Sequence, residues 1–377
     1  MRSMETYRLS SKLSEKQNEY LIQTANDANQ GAVSTSVYIN GTLAEVVNCP
    51  HPVQVKAEEV LSLVKLTHNE KKKEIETLLQ AYRKVSNSAN AEMMYQLGTA
   101  FYYKGFYGEA RELFHAAALL NSTYHQSINY LGQAELALGR IQEAVAAAKR
   151  AVELRPQYAD YHNNLGEAYL ADSACQKAIE EFEQAIRINM YYSDAYFNLG
   201  MAYILDADLR PKSIDWPEYQ GKIKEYFNKA ALIHPDYQTE TFEHGLRAVQ
   251  NRDLKRAIGL FKGIREARRE SSRREFSAFY MKLALFPDWA SEKVIADRIQ
   301  FLELELSKNP SYVDLQAELS ICYLEQAKLV WQKGVDQYRK THELNPSLQK
   351  VRFAMEEAEA TLEDINITLK KITEQGQ

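Results

Sequence analysis

The chain has 377 residues, of which 45% are hydrophobic and 26% are charged, and its formal net charge is −5. These values exclude wholesale disorder, a collagen-like chain and a protein whose whole surface coats nucleic acid. No apolar run approaches the roughly 18 residues of a spanning helix, and the first residues lack the apolar core of a secretory signal, so we expect a cytoplasmic protein.

A β-hairpin is the first element that the sequence predicts. Two runs with alternating apolar and polar residues, 32–39 and 42–47, are separated by Asn40-Gly41. This dipeptide accommodates the positive φ angles of a type I′ turn, whose twist matches the flanking strands. A two-residue turn would place Val37 opposite Ala44.

Looser alternation before the hairpin, around 7–13 and 19–25, supplies further strands. We therefore expect an antiparallel meander of three or four strands in residues 1–52. Because a small sheet alone is marginally stable, it should pack on the connecting helices of residues 53–87. Those helices are expected at 54–66 and 69–86.

An internal repeat governs the middle of the chain. The dipeptide Leu-Gly recurs every 34 residues, at 97–98, 131–132, 165–166 and 199–200. Twelve residues after each of the first three glycines there is an alanine, and sixteen after them stand Phe114, Ala148 and Phe182. This pattern resembles the tetratricopeptide repeat (TPR) family, which combines Leu-Gly, Tyr, Ala, Phe and Pro on a 34-residue period.

Each repeat contains two amphipathic stretches joined by a short polar break. In the second stretch of the third repeat, Ala178, Phe182 and Ala185 fall on one helical stripe. Gly166 leaves room for the paired helix to approach closely. A single pair cannot bury both of its faces, whereas stacked pairs can.

The resemblance implies a mainly α fold: a TPR-type solenoid, wound as a right-handed superhelix, with a small N-terminal antiparallel β module and a long C-terminal capping helix. The array should span residues 88–347 in about six to seven units. An 11-residue excess before Pro235 predicts a loop insertion at 206–221. Units after residue 270 are degenerate, and the last ones are expected at 271–310 and 311–346.

Residues 348–377 predict one more long helix. Its apolar positions are spaced four and three residues apart: Val351, Met355, Ala358, Leu362, Ile365, Leu369 and Ile372. One interpretation is a helix that caps the solenoid. The other is a short coiled-coil seam that dimerises the chain.

Motifs of catalysis or metal binding are not found in the sequence. There is no Gly-x-x-x-x-Gly-Lys, Gly-x-Ser-x-Gly, His-Glu-x-x-His or Cys-x-x-Cys, and no two of the eight histidines are three or four residues apart. The three cysteines are far apart, which favours reduced thiols. We therefore predict no enzymatic activity, no cofactor and no metal.

The resemblance implies a binding surface instead. In TPR proteins the first helix of each pair lines a concave groove, and residues flanking Leu-Gly point into it. An asparagine there offers a donor and an acceptor to an extended peptide, although it can also be a solvated or capping residue. The groove positions in this sequence are Tyr95, Thr99, Asn129, Gln133, Asn163, Asn164, Glu167, Phe197, Asn198 and Met201.

A second candidate surface is an arginine-rich run at 247–274, which carries ten basic and three acidic residues in a chain that is acidic as a whole. Arginine favours bidentate contacts to carboxylate or phosphate. The run could bind a polyanion, form a solvated helix face, or pair with the acidic run between Glu356 and Asp364. Its candidate residues are Arg252, Lys255, Arg256, Lys262, Arg265, Arg268, Arg269, Arg273 and Arg274.

The sequence thus predicts a protein-interaction scaffold or adaptor that binds a partner peptide or helix in the concave groove. Homo-oligomerisation through the C-terminal helix or the β module remains open. The alternative is a binder of nucleic acid or another polyanion through the arginine-rich run. An enzyme with a site built from distant residues is the third possibility.

Overall fold

The computed structural model describes residues 6–27, 31–51, 56–278, 292–308 and 313–375. The chain forms two compact units, Met1–Arg274 and Glu275–Gln377. The first unit contains the β module and the regular repeats.

Four strands form the N-terminal sheet in the order β1-β2-β3-β4, and every neighbouring pair is antiparallel. The sheet confirms the predicted meander. Asn40 and Gly41 have φ angles of 50° and 82°, as a type I′ turn requires. The strands are β1 (Arg8–Glu15), β2 (Asn18–Asp27), β3 (Ala32–Ile39) and β4 (Thr42–Pro50).

The register of the hairpin differs from the prediction. Val37 pairs with Glu45 rather than with Ala44, because a β-bulge between Val37 and Tyr38 shifts the pairing by one residue. Ala44 is the extra residue on β4. The bulge leaves it outside the ladder of paired residues.

Helix α1 (Ala57–Val85) is one continuous helix. The prediction of two separate helices at 54–66 and 69–86 is therefore wrong. No glycine or proline stands at the expected break, where the sequence is Thr67-His68.

The sheet packs on α1, as expected for a small meander. Val33 of β3 forms a buried cluster with Val60 and Val64 of α1. A buried ion-pair network adds to this contact: Lys104 pairs with Glu45 of β4 at 2.8 Å and with Glu74 of α1. The network joins the sheet to α1 and to the first repeat, and removing one partner would leave a buried charge unpaired.

Five helix pairs follow α1 in the first unit. In each pair a short loop joins the two helices, and successive pairs stack along the chain. The pairs are α2 (Ala91–Tyr103) with α3 (Tyr107–Leu120), α4 (His125–Ala137) with α5 (Ile141–Leu154), α6 (Ala159–Ala171) with α7 (Cys175–Ile188), α8 (Ser193–Leu209) with α9 (Trp216–Ile233), and α10 (Glu240–Gln250) with α11 (Leu254–Ala278).

The repeated glycine lies where the two helices of a pair cross. A Cβ atom at Gly166 would stand 2.5 Å from Cε1 of Phe182, and Gly98, Gly200 and Gly245 likewise face a phenylalanine of the paired helix. In the second repeat, alanine replaces that phenylalanine. There the Cβ position of Gly132 lies 3.2 Å from the backbone nitrogen of Ala148, so backbone takes the place of the ring.

The insertion predicted at 206–221 is mostly helical. Helices α8 and α9 have 17 and 18 residues, against 13 and 14 in α6 and α7. The loop itself is residues 210–215. Asp206 continues α8 because its carboxylate binds Arg210 one turn later, and Pro217 stands in the first turn of α9, where proline is tolerated.

The described residues of the second unit are the last four residues of α11, followed by α12 (Glu292–Lys308), α13 (Val313–Leu344) and α14 (Gln349–Gln375). The prediction of a helical pair at 311–346 is wrong, because α13 is one continuous helix of 32 residues. Part of the unit expected at 271–310, residues 279–291, lies outside the described residues. Helix α14 packs on α13 and buries Leu362 and Leu369 of the four-three stripe. That this helix caps the solenoid stays a prediction.

Candidate interaction groove

The inner wall of the first unit is formed by the first helices of four repeats. Helix α4 packs on both α2 and α6, and α6 also packs on α8. These four helices therefore lie side by side along one face, which we call the groove.

Asparagine side chains connect neighbouring repeats along this wall. Nδ2 of Asn164 donates to Oδ1 of Asn129 at 3.0 Å, and Nδ2 of Asn198 donates to Oδ1 of Asn163 at 3.0 Å. Asn198 also donates to Glu167 at 3.0 Å. The partners are 35 residues apart in both amide pairs, so the contact repeats with the array.

These amides are used within the protein and are largely covered. Asn129 and Asn163 are each 4% exposed and Asn198 is 2% exposed, whereas Asn164 is only half-buried. Among the four asparagines, Asn164 is therefore the one best placed to meet a ligand without local rearrangement.

Tyrosine rings line the groove at the N-terminal repeats. The Tyr102 hydroxyl donates to Oε1 of Gln133 at 3.2 Å, and the Tyr102 and Tyr130 rings lie 5.6 Å apart. Tyr95 packs edge-on against Tyr130 at 5.8 Å. Burial raises the pKa of the Tyr102 and Tyr130 hydroxyls, so both stay protonated and can donate at neutral pH. The Thr99 hydroxyl donates to the carbonyl of Tyr95.

Two predicted groove residues lie in the core instead. Phe197 and Met201 are 1% and 0% exposed. The Phe197 ring stacks on Tyr237 at 4.7 Å and meets Phe227 edge-on at 5.1 Å. A ligand would have to displace these neighbours before it could touch either side chain.

The C-terminal half of α11 lies against the groove. Arg269 forms an ion pair with Glu167 of α6, and Nη2 of Arg268 donates to Asp194 of α8 at 3.1 Å. The Arg268 guanidinium also lies over the Tyr237 ring, 4.1 Å from its centre. The Glu167 carboxylate raises the pKa of Arg269, as expected for an opposite charge in contact.

Further along the same helix, Arg273 reaches two backbone carbonyls. Its Nε donates to the carbonyl of Tyr103 at 3.2 Å, and Nη2 donates to the carbonyl of Ala44 at 3.1 Å. The first carbonyl belongs to the C-terminal end of α2, where helical acceptors have no partner within the helix. The second belongs to the bulge residue of β4. Arg273 thus joins α11 to the first repeat and to the sheet.

The remaining residues of the arginine-rich run behave differently. Lys255, Arg256 and Lys262 are exposed on the first half of α11. Arg252 lies over the Trp216 ring, 5.2 Å from its centre. Burial lowers the pKa of Arg265, and its buried Nε has no hydrogen-bond partner among the described residues. The side chain of Arg274 lies outside the described residues.

Sequence reasoning missed the partners of Arg268 and Arg273. Asp194 and the carbonyls of Tyr103 and Ala44, which accept their hydrogen bonds, belong to no motif, and neither does Tyr237, whose ring lies against Arg268. The only signal in the sequence is the excess of arginine itself, because a cationic helix buried against a protein needs acceptors somewhere.

In the part of the chain that the structure describes, no three His, Cys, Asp or Glu side chains are grouped as a metal site would require. None of the described helices combines the length and the hydropathy needed to span a bilayer.

Comparison with known proteins agrees with this architecture. The tetratricopeptide repeat family model matches residues 95–159 and 129–193. No curated protein sequence matches the chain.

Among solved structures, MamA is 28% identical, with a TM-score of 0.36, over 42% of this chain and 86% of its own. TTC0263, a TPR protein of Thermus thermophilus, is 17% identical, with a TM-score of 0.34, over 71% and 98% of the two chains. YrrB, described as a TPR protein with an unusual peptide-binding site, is 21% identical, with a TM-score of 0.36, over 46% and 87%.

The family match, the 34-residue period and the glycine crossings of the helix pairs agree with one another. The family match lies within residues 95–193, and over that segment the chain resembles the tetratricopeptide repeat family.

Proposed function

We propose that the chain is a non-enzymatic cytoplasmic scaffold whose groove binds a peptide or helix of a protein partner. The observation that carries this proposal is the continuous wall made by α2, α4, α6 and α8. The TPR fold supports a protein-interaction role in general.

The wall offers half-buried side chains that can recognise a partner. Gln133 and Asn164 supply amide groups, and Tyr102 supplies a ring with a protonated hydroxyl. Rigid aromatic rings beside adaptable amides are typical of binding surfaces, because the rings lose little conformational entropy on binding. The helices are already ordered by packing, so binding costs little further ordering of the scaffold.

The polyanion alternative is disfavoured by the internal contacts of Arg268, Arg269 and Arg273. Their guanidinium groups already have carboxylate or carbonyl acceptors in the same unit. A phosphate ligand would have to replace these acceptors or rely on the exposed first half of α11.

Photo-crosslinking tests the proposal directly. Benzoyl-phenylalanine is placed at Gln133 in the groove and, as the matched control, at the exposed Glu180 on α7, which belongs to the outer layer. We expect irradiation in the native cells to join a partner protein to position 133 and not to position 180. An excess of the unlabelled chain should compete for that product. Crosslinking from position 180 alone, or equally from both, would contradict a groove-binding function.

A further inference from the structure

We propose that the groove is a receptor for an arginine-bearing helix, and that residues 265–273 of α11 occupy this receptor as an internal ligand. The inference rests on the proposed function, because it names the class of partner that the groove accepts. A partner helix of the same chemistry would bind by replacing this segment.

The segment contacts the wall at several repeats, as a bound peptide would. Arg268 and Arg269 reach α8 and α6, and Arg273 reaches the end of α2. Nine helical residues extend about 12 Å, enough to cross neighbouring helices. The acceptors are 74, 102 and 170 residues away in sequence, so these contacts are tertiary and not part of the helix's own stacking within its repeat.

The arginines share one face of α11. At about 100° per residue, Arg265, Arg268, Arg269 and Arg273 fall within an arc of about 140°. Such an arc is the width of a contact face on a helix that lies in a groove. The chain therefore presents to its own wall the same type of surface that a basic partner helix would present.

Arginine suits this site better than lysine does. The Arg268 guanidinium donates to Asp194 while its Cζ lies 4.1 Å from the centre of the Tyr237 ring. The Tyr237 hydroxyl donates to the same Asp194 oxygen at 2.5 Å. A planar, delocalised cation can stack and donate at once, whereas an ammonium group is a point donor. The acidic and aromatic composition of the site thus selects for arginine.

The internal ligand is held in a manner that permits exchange. Arg269 keeps about half of its side chain exposed, at 50%, although its partner Glu167 is largely covered at 12%. Solvent therefore reaches the guanidinium of this ion pair and partly screens it. The segment stays in place because it is tethered, at an effective concentration in the millimolar range, and a tighter external helix can displace it.

A peptide-binding titration tests this inference. The probe is a fluorescein-labelled synthetic peptide with the sequence of residues 261–278, and the receptors are full-length chains. The groove variant carries Arg268→Ala, Arg269→Ala and Arg273→Ala. The matched control carries Lys255→Ala, Arg256→Ala and Lys262→Ala, which removes the same charge from the exposed half of α11.

We expect the groove variant to bind the peptide about tenfold more tightly than the wild type and the control, because its internal competitor is removed. A peptide with lysine at the three arginine positions should bind the groove variant more weakly. Adding Glu167→Gln and Asp194→Asn to the groove variant should abolish binding.

Equal affinity of the three receptors, or binding that survives the loss of both carboxylates, would overturn the inference. Circular dichroism checks folding, and Arg→Gln replacements at the same three positions serve if the alanine variant is unfolded. Crosslinking at position 133 together with a failed peptide titration would contradict the arginine-bearing helix as the ligand, while the groove-binding function would stand. A successful titration without crosslinking would instead reject the groove-binding function in the cell.

Discussion

Gly166 shows how one residue sets the distance between paired helices. Its position on α6 faces the ring of Phe182 on α7, and an added Cβ would lie 2.5 Å from that ring. The ring belongs to the core and is fully buried, so it has little room to move.

We therefore predict that Gly166→Ala lowers the free energy of unfolding by about 2 kcal/mol, because overpacking a rigid core outweighs the gain in helix propensity. Gly259→Ala is the control: Gly259 lies within α11, and a Cβ there meets no atom within 4 Å. That change should stabilise the chain by up to about 1 kcal/mol. Urea unfolding measures both, and equal effects would contradict the crossing role of Gly166.

Some contacts of single residues could be predicted from the local sequence, and others could not. The spacing of Gly166 and Phe182 follows the repeat, so their pairing could be predicted. The roles of Asn163 and Asn198 could not be separated from ligand binding, because a consensus position does not reveal whether its amide is already bonded. Both amide pairs are 35 residues apart, a spacing that is present in the sequence. In the structure each pair forms a hydrogen bond between neighbouring repeats.

At the scale of elements, His68 joins α1 to the sheet. It is 4% exposed, and its ring nitrogens lie 2.8 Å from the Ser11 hydroxyl and 3.0 Å from the Thr24 hydroxyl. Burial, and secondarily the charge of Lys72, lower the pKa of His68 below 6.5. A neutral imidazole is therefore part of the folded contact between helix and strands.

This contact predicts a pH dependence. Because the folded pKa of His68 is depressed, its contribution to stability is fully present above about pH 6.5 and is lost as the pH falls through the folded value. Between about pH 7.5 and pH 5 the midpoint of thermal unfolding should fall further in the wild type than in His68→Gln. Glutamine can hydrogen-bond but not protonate, and the other histidines are common to both proteins. An identical fall in both would show that His68 does not charge on unfolding.

Elements were predictable where their signals are local. The Asn40-Gly41 turn and the alternation of apolar and polar residues predicted the meander. The 34-residue period of Leu-Gly predicted the helix pairs. The bulge at Ala44 was not predictable, because the residue is stabilised by Arg273 from more than two hundred positions away. The break expected between residues 66 and 69 of α1 has no local signal, because neither glycine nor proline stands there.

At the scale of the whole first unit, the central feature is that α11 both completes the fifth helix pair and covers the groove. Its first half packs in the core through Phe261 and Ile264. Its second half contacts α6, α8 and the end of α2 through arginines. The sequence predicted the groove and the arginine run as separate surfaces, and their contact could not be foreseen because no local pattern connects residues so distant.

Amide hydrogen exchange of residues 265–273 in the intact chain tests this feature most directly. The variant carries Glu167→Gln and Asp194→Asn, and the control carries Glu143→Gln and Glu180→Gln on exposed positions of α5 and α7. If the groove carboxylates hold the segment, the variant should exchange these amides about tenfold faster than the wild type and the control, with residues 254–264 unchanged. Exchange at 265–273 that is the same in all three proteins would contradict the account.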